Sequence, residues 1–282
     1  MPELPEVEHV ARGLSELIVG KTIAQFDLIF PGLIKNVSGN EFTAAILGAI
    51  IESIIRRGKY ILILLNNQNV LEVHLRMTGT FLFYLEPVTP GPHTRAVFTF
   101  EESSQLHFKD IRKFGTFRLW KEAELGRSPA FSIGLDPLEK GFNLLRFEEK
   151  LNQKPKSRLK PFFLDQKNIA GLGNIYVDEV LYQAKLHPAR RVESLDSTEI
   201  KVLFEAIVSV LQQSIESGGT SFSDYHNLQG VRGAFQEHLK VYQKENYPCF
   251  CCGRPLQKIT LAGRGTHLCL FCQPFDAEHL SS

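Results

Sequence analysis

The stretch CFCCGRPLQKITLAGRGTHLCLFC, residues 249–272, decides the fold of the C-terminal segment. A Cys-x2-Cys pair stands at each end, and sixteen residues separate the pairs, which is the spacing of a four-thiolate zinc site. Between the pairs, apolar alternation and a glycine turn predict two short strands with Arg264 at the tip. A metal-pinned hairpin that holds out a guanidinium is suited to gripping phosphate. The predicted zinc ligands are Cys249, Cys252, Cys269 and Cys272.

Disulfide bonds are the alternative for paired cysteines. The chain has five cysteines, an odd count, and neither a signal peptide nor a long apolar segment, so we expect a reducing compartment and a metal site. Cys251 breaks the spacing and is expected to be a spare thiol. Four thiolate ligands close the zinc site and leave no place for a catalytic water, which argues against a zinc-dependent hydrolase.

Composition indicates an ordinary globular protein of two or three modules, with 282 residues, 43% hydrophobic and 22% charged. The net charge of +1 gives no globally basic surface. Basic residues do cluster at 56–59, 109–118 and 154–160. Such clusters are often plain solvated surface, but together with Arg264 they favour a polyanionic partner.

The hydrophobic pattern changes along the chain. Residues 5–19 have helical spacing, with Pro5 near the start and Gly20 just past the end. From Thr22 to Trp120, short β-branched and aromatic runs alternate with turns, which predicts an antiparallel sandwich or barrel. The runs are 51–55, 60–65, 97–100, 106–108 and 116–120.

A helical pattern occupies residues 158–217. Asn174 is the predicted cap of one helix, and Asp196-x-x-Glu199 resembles a capping box in front of another. That second helix is predicted to end at Gly218-Gly219, and the glycine- and serine-rich residues 218–236 are expected to form a mobile loop.

The chain begins Met1-Pro2-Glu3. Initiator methionine is normally removed before proline, which would leave a secondary amine able to attack an aldehyde-like carbon and form a Schiff base. Because α-amino groups titrate near pH 8, a useful fraction of such an amine is neutral at physiological pH. Glu3 would supply a general acid or base beside it. The plainer interpretation is that Pro2 only begins the chain and that Glu3 is a negative charge at the start of a helix.

Six segments together resemble formamidopyrimidine-DNA glycosylase (Fpg, also called MutM). They cover the whole chain in the family's order: MPELPEVE at 1–8, RRGKY at 56–60, HLRMTG at 74–79, DIRKFG at 110–115, LDQKNIAGLGNIYVDE at 164–179 and the cysteine hairpin. The resemblance implies a multidomain α+β fold. It would comprise an N-terminal antiparallel β-sandwich with flanking helices at 1–135, a helix–two-turn–helix domain at 136–235 and a zinc-finger β-hairpin at 236–282.

For activity, the resemblance implies a base-excision-repair glycosylase and lyase. It would excise oxidised purines such as 8-oxoguanine and formamidopyrimidines, then cleave the strand by β,δ-elimination. Pro2 resembles the nucleophile and Glu3 the general acid. Lys59 resembles a proton donor for β-elimination, and Arg264 the finger arginine that binds phosphates and serves δ-elimination.

DNA contacts follow from the same resemblance. Met77, Arg112 and Phe114 match the side chains that fill the hole left by the everted base, although each alone would suit a core or surface position. The residues that contact the DNA backbone would be His74, His93, Lys156, Asn174 and Arg264. Lesion recognition would come from Glu6, Thr220, Ser221 and Tyr225, the last three on a lesion-capping loop at 218–235.

Two departures concern lesion preference. Ser223 replaces a basic residue common in this loop, and Thr78 follows Met77 where the family has an acid or, frequently, serine. The preference among oxidised bases is therefore left open.

Two other functions compete with this interpretation: an endonuclease VIII-like enzyme for oxidised pyrimidines, and a non-catalytic zinc-ribbon binder of damaged DNA. Leu4 and the hole-filling set argue against the first, and the filled catalytic positions against the second.

We expect a monomer with one structural Zn²⁺ and double-stranded DNA as partner, no membrane contact, and a place in the bacterial cytoplasm on the nucleoid.

Overall fold

The computed structural model describes residues 2–220 and 234–275. Its contacts group the chain into two compact units, residues 1–132 with 215–236 and residues 133–214 with 237–282. The boundaries expected from the sequence, at 135 and 235, stay a prediction. Among the described residues, no helix is both long and apolar enough to cross a membrane.

The first unit opens with helix α1 (Leu4–Ile18). Its apolar side chains recur at helical spacing and are buried, so one face of the helix packs on the core. Glu3 is the N-cap and forms a reciprocal capping box with Glu6, and Gly20 takes a left-handed φ of 84° just after the end. The predicted helix is confirmed.

Two four-stranded antiparallel sheets form the rest of this unit. The first has the order β1-β6-β7-β5 and the second β2-β3-β4-β8. Side chains from both sheets and from α1 share one hydrophobic core, so the predicted sandwich is confirmed. The elements are β1 (Ile23–Leu28), α2 (Gly39–Ile46), β2 (Ile51–Arg57), β3 (Tyr60–Leu65), β4 (Asn69–His74), β5 (Gly79–Tyr84), β6 (Thr94–Phe100), β7 (Gln105–Asp110) and β8 (Thr116–Lys121).

Phe117 lies at the centre of the sandwich core and is fully buried. Its ring lies 4.8 Å from Phe108, 6.1 Å from Phe98, 6.2 Å from Phe81 and 6.3 Å from Phe42, measured between centroids. The four rings come from β5, β6 and β7 of the first sheet and from α2, and Phe117 itself lies on β8 of the second sheet, so one side chain joins both sheets and a helix.

Strand β4 was missed because a charge interrupts its apolar pattern. Glu72 is 1% exposed, and its carboxylate accepts hydrogen bonds from the guanidinium of Arg118, the hydroxyl of Ser128 and the backbone N–H of Ala130. The partners come from a neighbouring strand and from a 3-10 turn, which the local sequence does not reveal.

Helices dominate the second unit: α3 (Leu144–Asn152), α4 (Leu159–Leu164), α5 (Asn174–Gln183) and α6 (Ser197–Glu216), of which α6 extends two residues into the first. The predicted capping box is present, since Glu199 N donates to Asp196 Oδ1 at 2.8 Å and Asp196 N to Glu199 Oε2 at 3.1 Å. The unit ends in a hairpin of β9 (Gln257–Leu261) and β10 (Arg264–Leu268), as predicted.

We expect Phe117→Ala to lower the free energy of unfolding of the first unit by about 3–5 kcal/mol, because the cavity it leaves is walled by rings of the facing sheet and of α2. The single tryptophan, Trp120, reports urea unfolding of this unit by fluorescence. Leu85→Ala is the control, since Leu85 is 80% exposed and its loss is expected to change stability by less than about 0.5 kcal/mol. Equal effects of the two variants would contradict the central position of Phe117.

Candidate functional site

The N-terminal residues are held in place by the first turn of α1. Pro2 and Glu3 are both buried. Glu3 N donates to Glu6 Oε2 at 2.8 Å, and the Glu3 side chain accepts from the backbone of the same turn. The backbone that follows Pro2 is therefore fixed, and a nucleophile at Pro2 would start from a defined position.

Glu6 connects this turn to a second segment of the same unit. Its Oε1 accepts from Thr220 N at 2.7 Å and from Thr220 Oγ1 at 2.9 Å. A Cβ added at Gly219, where φ is 78°, would lie 3.0 Å from the same oxygen. One buried carboxylate thus holds the start of the predicted capping loop against α1. Ser221 and Tyr225, also predicted to recognise the lesion, lie outside the described residues, as does Ser223.

Lys59 lies at the turn of the β2–β3 hairpin. Gly58 has a φ of 54° there, which allows the tight turn, and Lys59 itself is 6% exposed. An ion pair between Arg56 Nε and Glu8 Oε2, at 2.6 Å, ties the hairpin to α1. The lysine predicted to donate a proton therefore belongs to the same packed unit as the N-terminal turn.

His74 ends β4 and is 7% exposed, with its ring edge-on to Tyr60 at 4.7 Å. Burial, and then the charges of Arg76, Lys59 and Arg118, lower the pKa of His74 to about 3. Its Nδ1 accepts from Arg76 N at 3.0 Å. The imidazole is therefore neutral at physiological pH, with its proton assigned to Nε2.

The three predicted hole-filling side chains lie in two connections of the sandwich. Met77 follows β4 and is 40% exposed, and Phe114 precedes β8 and is 50% exposed, so neither is a core residue. The guanidinium of Arg112 lies 4.8 Å from the centre of the Phe114 ring. His93 is near them, because its carbonyl accepts from Asp110 N at 2.9 Å. The fold brings these four predicted DNA contacts into one region.

Arg264 begins β10 in the second unit and is exposed. The two residues before it, Ala262 and Gly263, have φ values of 49° and 72°, as in a type I′ hairpin turn. Its strand partner is Leu261. Arg264 therefore directly follows the tight turn at the tip of the hairpin, as the sequence predicts. Lys156, another predicted DNA contact, is also exposed in this unit.

The predicted cap at Asn174 is wrong by one residue. Gly173 is the N-cap of α5, and Asn174 is the first residue inside the helix. The amide of Asn174 instead donates to Gly265 O at 3.0 Å, next to Arg264. Its Oδ1 is buried and has no hydrogen-bond partner among the described residues. The side chain thus braces the finger turn and keeps one acceptor free.

A buried ion pair supports the same carbonyl and was missed by the sequence analysis. Lys160 Nζ lies 2.6 Å from Asp178 Oδ1 and 2.9 Å from Gly265 O, and both charged side chains are 0% exposed. Asp178 Oδ2 accepts in turn from His267 N at 2.9 Å. The sequence places Lys160 in the basic cluster 154–160, which favours a surface position, but the side chain is fully buried within the unit. The only local signal was its apolar neighbours on α4.

The four predicted ligands form a cluster in which all sulfurs lie within 4.8 Å of one another. Cys249 and Cys272 Sγ are 3.8 Å apart, and Cys252 and Cys269 Sγ 3.5 Å. A tetrahedral zinc with bonds of 2.3 Å requires sulfur separations of about 3.8 Å, whereas a disulfide requires about 2.05 Å. The sulfurs fit a metal ion and exclude disulfides. Cys251 is exposed and outside the cluster.

Tyr182 from α5 supports this cluster, with its hydroxyl 3.1 Å from Cys249 Sγ. Burial alone would raise the pKa of Cys249, but hydrogen bonds from Tyr182 and from the backbone N–H groups of Cys252 and Cys251 lower that pKa to about 6. Burial raises the pKa of Cys269 and of Cys272, so the thiolate character of the cluster is concentrated on Cys249. A thiolate is the form that binds a metal.

Comparisons with known proteins identify the family to which the chain is similar. The model of the formamidopyrimidine-DNA glycosylase N-terminal domain matches residues 1–117, and that of the formamidopyrimidine-DNA glycosylase H2TH domain matches residues 133–226. The formamidopyrimidine-DNA glycosylase of Bacillus cereus (strain ZK / E33L) is 42% identical over 97% of this chain and 99% of that protein. The Enterococcus faecalis enzyme is 40% identical over 99% and 100%.

Solved structures agree. Lactococcus lactis Fpg (MutM) bound to DNA containing N7-benzyl-Fapy-dG has a TM-score of 0.90, with 37% identity over 97% of this chain and 100% of that chain. A MutM complex with DNA containing carbocyclic 8-oxo-G has a TM-score of 0.89, with 38% identity over 97% and 100%.

We expect Lys160→Met to destabilise the hairpin of the second unit by about 3–5 kcal/mol, because it leaves the Asp178 carboxylate buried without its cation. Hydrogen exchange of the amides at 257–268 measures this effect locally. Lys156→Met, which removes an exposed lysine of the same cluster, is the control and is expected to leave exchange unchanged. Unchanged protection in Lys160→Met would show that the ion pair does not hold the hairpin.

Proposed function

Since this chain belongs to the formamidopyrimidine-DNA glycosylase family and is a DNA glycosylase and lyase for oxidised purines, we propose that Pro2 carries its chemistry. The observation that supports this assignment most directly is the capping box, which fixes the backbone immediately after Pro2. Removal of Met1 would free the secondary amine at that position. A nucleophile held in one place avoids part of the entropic cost of attack.

The reaction follows from the chemistry of that amine. It attacks C1′ of the damaged nucleotide, the glycosidic bond breaks, and the base leaves with a proton. Glu3 protonates O4′ as the sugar ring opens, which gives an iminium between Pro2 and C1′. Positioned proton transfer of this kind contributes roughly 10²–10⁴ in rate. Glu3 suits the role because it is only 3% exposed.

Strand cleavage uses the acidity that the iminium gives to the C2′ proton. Loss of that proton breaks the C3′–O3′ bond by β-elimination, and a further proton loss breaks the C5′–O5′ bond by δ-elimination. We assign proton transfer in the first step to Lys59 and phosphate binding in the second to Arg264. Water then releases Pro2 from the sugar fragment, so the amine is regenerated.

Residues of both units are assigned to contacts with the DNA backbone. In the first, neutral His74 offers its Nε2–H to a phosphate, and His93 lies beside the hole-filling region. In the second, Arg264, Asn174 and exposed Lys156 provide cations and amide donors. Affinity should fall steeply with salt, because each neutralised phosphate releases condensed counterions.

Eversion of the lesion leaves a hole that Met77, Arg112 and Phe114 are proposed to fill. Taking a nucleotide out of the stack costs a few kcal/mol, and inserted side chains recover part of that cost. The guanidinium suits pairing with the orphaned cytosine, and the exposed Phe114 ring suits wedging between base pairs.

Lesion recognition is assigned to Glu6 and to the loop that starts at Thr220, with Ser221 and Tyr225 completing the set. Glu6 is well placed, because the hydrogen bonds described above already link it to both Glu3 and Thr220. Binding of the oxidised base would then act on the loop and on the reacting end of α1 through one carboxylate.

The cysteine cluster is proposed to hold one structural Zn²⁺, since four thiolates at these separations fit its bond lengths. Zinc would fix the Arg264 hairpin and take no part in the reaction. We also propose that the enzyme acts as a monomer on the nucleoid in the bacterial cytoplasm, where its DNA substrate is found.

The two competing functions are not equally supported, since one Lactococcus lactis Fpg (MutM) structure, 37% identical to this chain, contains DNA with an oxidised pyrimidine. A non-catalytic binder is inconsistent with membership of an enzyme family over the whole chain. For the endonuclease VIII-like alternative, the relevant comparison is cleavage of duplexes that contain 8-oxoguanine opposite cytosine or thymine glycol. Faster cleavage of thymine glycol would favour that alternative.

We expect Pro2→Gly to lose base excision by at least about two orders of magnitude, because the positioned secondary amine is gone. In wild type, sodium borohydride should trap a covalent DNA adduct, and peptide mass spectrometry should place it on Pro2. Pro5→Ala keeps the N-terminal amine and is the control. Excision at the wild-type rate in Pro2→Gly would exclude this nucleophile.

Purified protein is expected to contain one zinc per chain by mass spectrometry under native conditions. Cys269→Ser should lose the metal and unfold the hairpin, because structural zinc supplies on the order of 10 kcal/mol of apparent folding free energy. Cys251→Ser is the matched control and should keep the metal. Equal zinc loss in both variants would contradict the proposed ligand set.

A further inference from the structure

Two connections leave the sandwich side by side. Residues 75–78 join β4 to β5, and residues 111–115 join β7 to β8. Their ends are paired, because Gly79 lies opposite Asp110 and His74 opposite Thr116. The first connection carries Met77, and the second carries Arg112 and Phe114. The hole-filling set therefore comes from two separate loops that need a common position.

Thr78 joins the two loops through its hydroxyl. Thr78 Oγ1 donates to Asp110 Oδ1 at 2.5 Å and accepts from Arg112 N at 3.0 Å. The residue next to Met77 is thus bonded to the main chain of Arg112. A hydroxyl is suited to this position because it donates and accepts at the same time.

Asp110 also accepts hydrogen bonds from the backbone of the connection that follows it. Its carboxylate is 1% exposed and accepts from Gly115 N at 2.7 Å and from Arg112 N at 3.2 Å. Arg95 Nε donates to the carbonyl of the same residue at 2.7 Å. A buried carboxylate with these donors resists displacement, since leaving a charge unpaired is costly.

We propose that Thr78 is a positioning residue that couples the two loops, so that Met77, Arg112 and Phe114 enter the duplex as one preformed unit. This inference rests on the proposed hole-filling role of those three side chains. Thr78 itself need not touch DNA. Because the hydrogen bonds are formed within the free protein, the ordering cost of insertion is met before DNA binds.

The test measures binding to a duplex with a tetrahydrofuran abasic-site analogue opposite cytosine, which removes contacts to a damaged base. Thr78→Val should weaken binding about tenfold, the effect of losing a buried hydrogen bond to a charged group. Thr78→Ser keeps the hydroxyl and should bind within about twofold of wild type. Wild-type affinity in Thr78→Val would overturn the proposal.

Thr116→Val is the matched control on the adjacent strand end. Thr116 is buried, and its hydroxyl has no hydrogen-bond partner among the described residues, so the same change removes nothing but an unused group. Its affinity should be unchanged. An equal loss in Thr116→Val would show a general packing effect and would also overturn the proposal, and Trp120 fluorescence checks that both variants remain folded.

A double-mutant cycle separates coupling from mere stability. If Thr78 acts through the insertion unit, Thr78→Val combined with Phe114→Ala should cost clearly less than the sum of the single changes. Thr78→Val should also reduce the preference for cytosine over adenine opposite the analogue. Additive losses with unchanged preference would refute coupling. If Phe114→Ala and Met77→Ala bind as wild type, the hole-filling role itself fails.

Discussion

One buried carboxylate sets the geometry of the reacting end of the molecule. Glu6 accepts the backbone N–H of Glu3 with one oxygen and two donors of Thr220 with the other. The first contact fixes the backbone behind Pro2, and the second fixes the start of the predicted lesion loop. With Pro2 as the proposed nucleophile, ordinary helix capping becomes a catalytic constraint, because the turn that begins α1 fixes the backbone next to it.

The second unit uses the same device beside Arg264, the residue proposed to bind phosphate. Lys160 and Asp178 are both fully buried, and their partners converge on the backbone around Gly265. Such a pair contributes little net stability but strongly penalises any arrangement that separates it. The buried ion pair therefore fixes the backbone next to Arg264, while the cysteine cluster is proposed to stabilise the hairpin by holding zinc. The Thr78–Asp110 contact plays the corresponding part in the two loops proposed to enter DNA.

Sequence patterns predicted the elements that rest on local chemistry. Helix α1, the capping box at Asp196 and the hairpin turn before Arg264 all follow from residues close in the chain. Strand β4 did not, because Glu72 finds its partners in distant segments. Lys160 was read as surface for the same reason. Long-range pairs that neutralise buried charges leave no periodic signal, so the sequence cannot report them.

In the candidate site too, the sequence predicted which residues take part but not the long-range contacts between them. The spacing of the four cysteines and, for the other positions, the family resemblance supplied the identity of its residues, but not their connections. The sequence predicts a cap at Asn174, whereas its amide contacts Gly265 from the first turn of α5. The resemblance predicts that Glu6 recognises the lesion, but no local pattern predicts its simultaneous hydrogen bonds to Glu3 and Thr220. Such contacts join residues as many as 214 positions apart.

The carbonyl of Gly265 has a consequence for protein engineering. It accepts from Lys160 and from Asn174, which lie on two different helices. A chimera that moved only residues 249–272 onto another scaffold would carry the proposed metal ligands but leave both donors behind. If the transplanted finger folded around a metal ion as proposed, its arginine would still be poorly aimed. Evolutionary exchange of this finger between relatives is therefore expected to require matching helices.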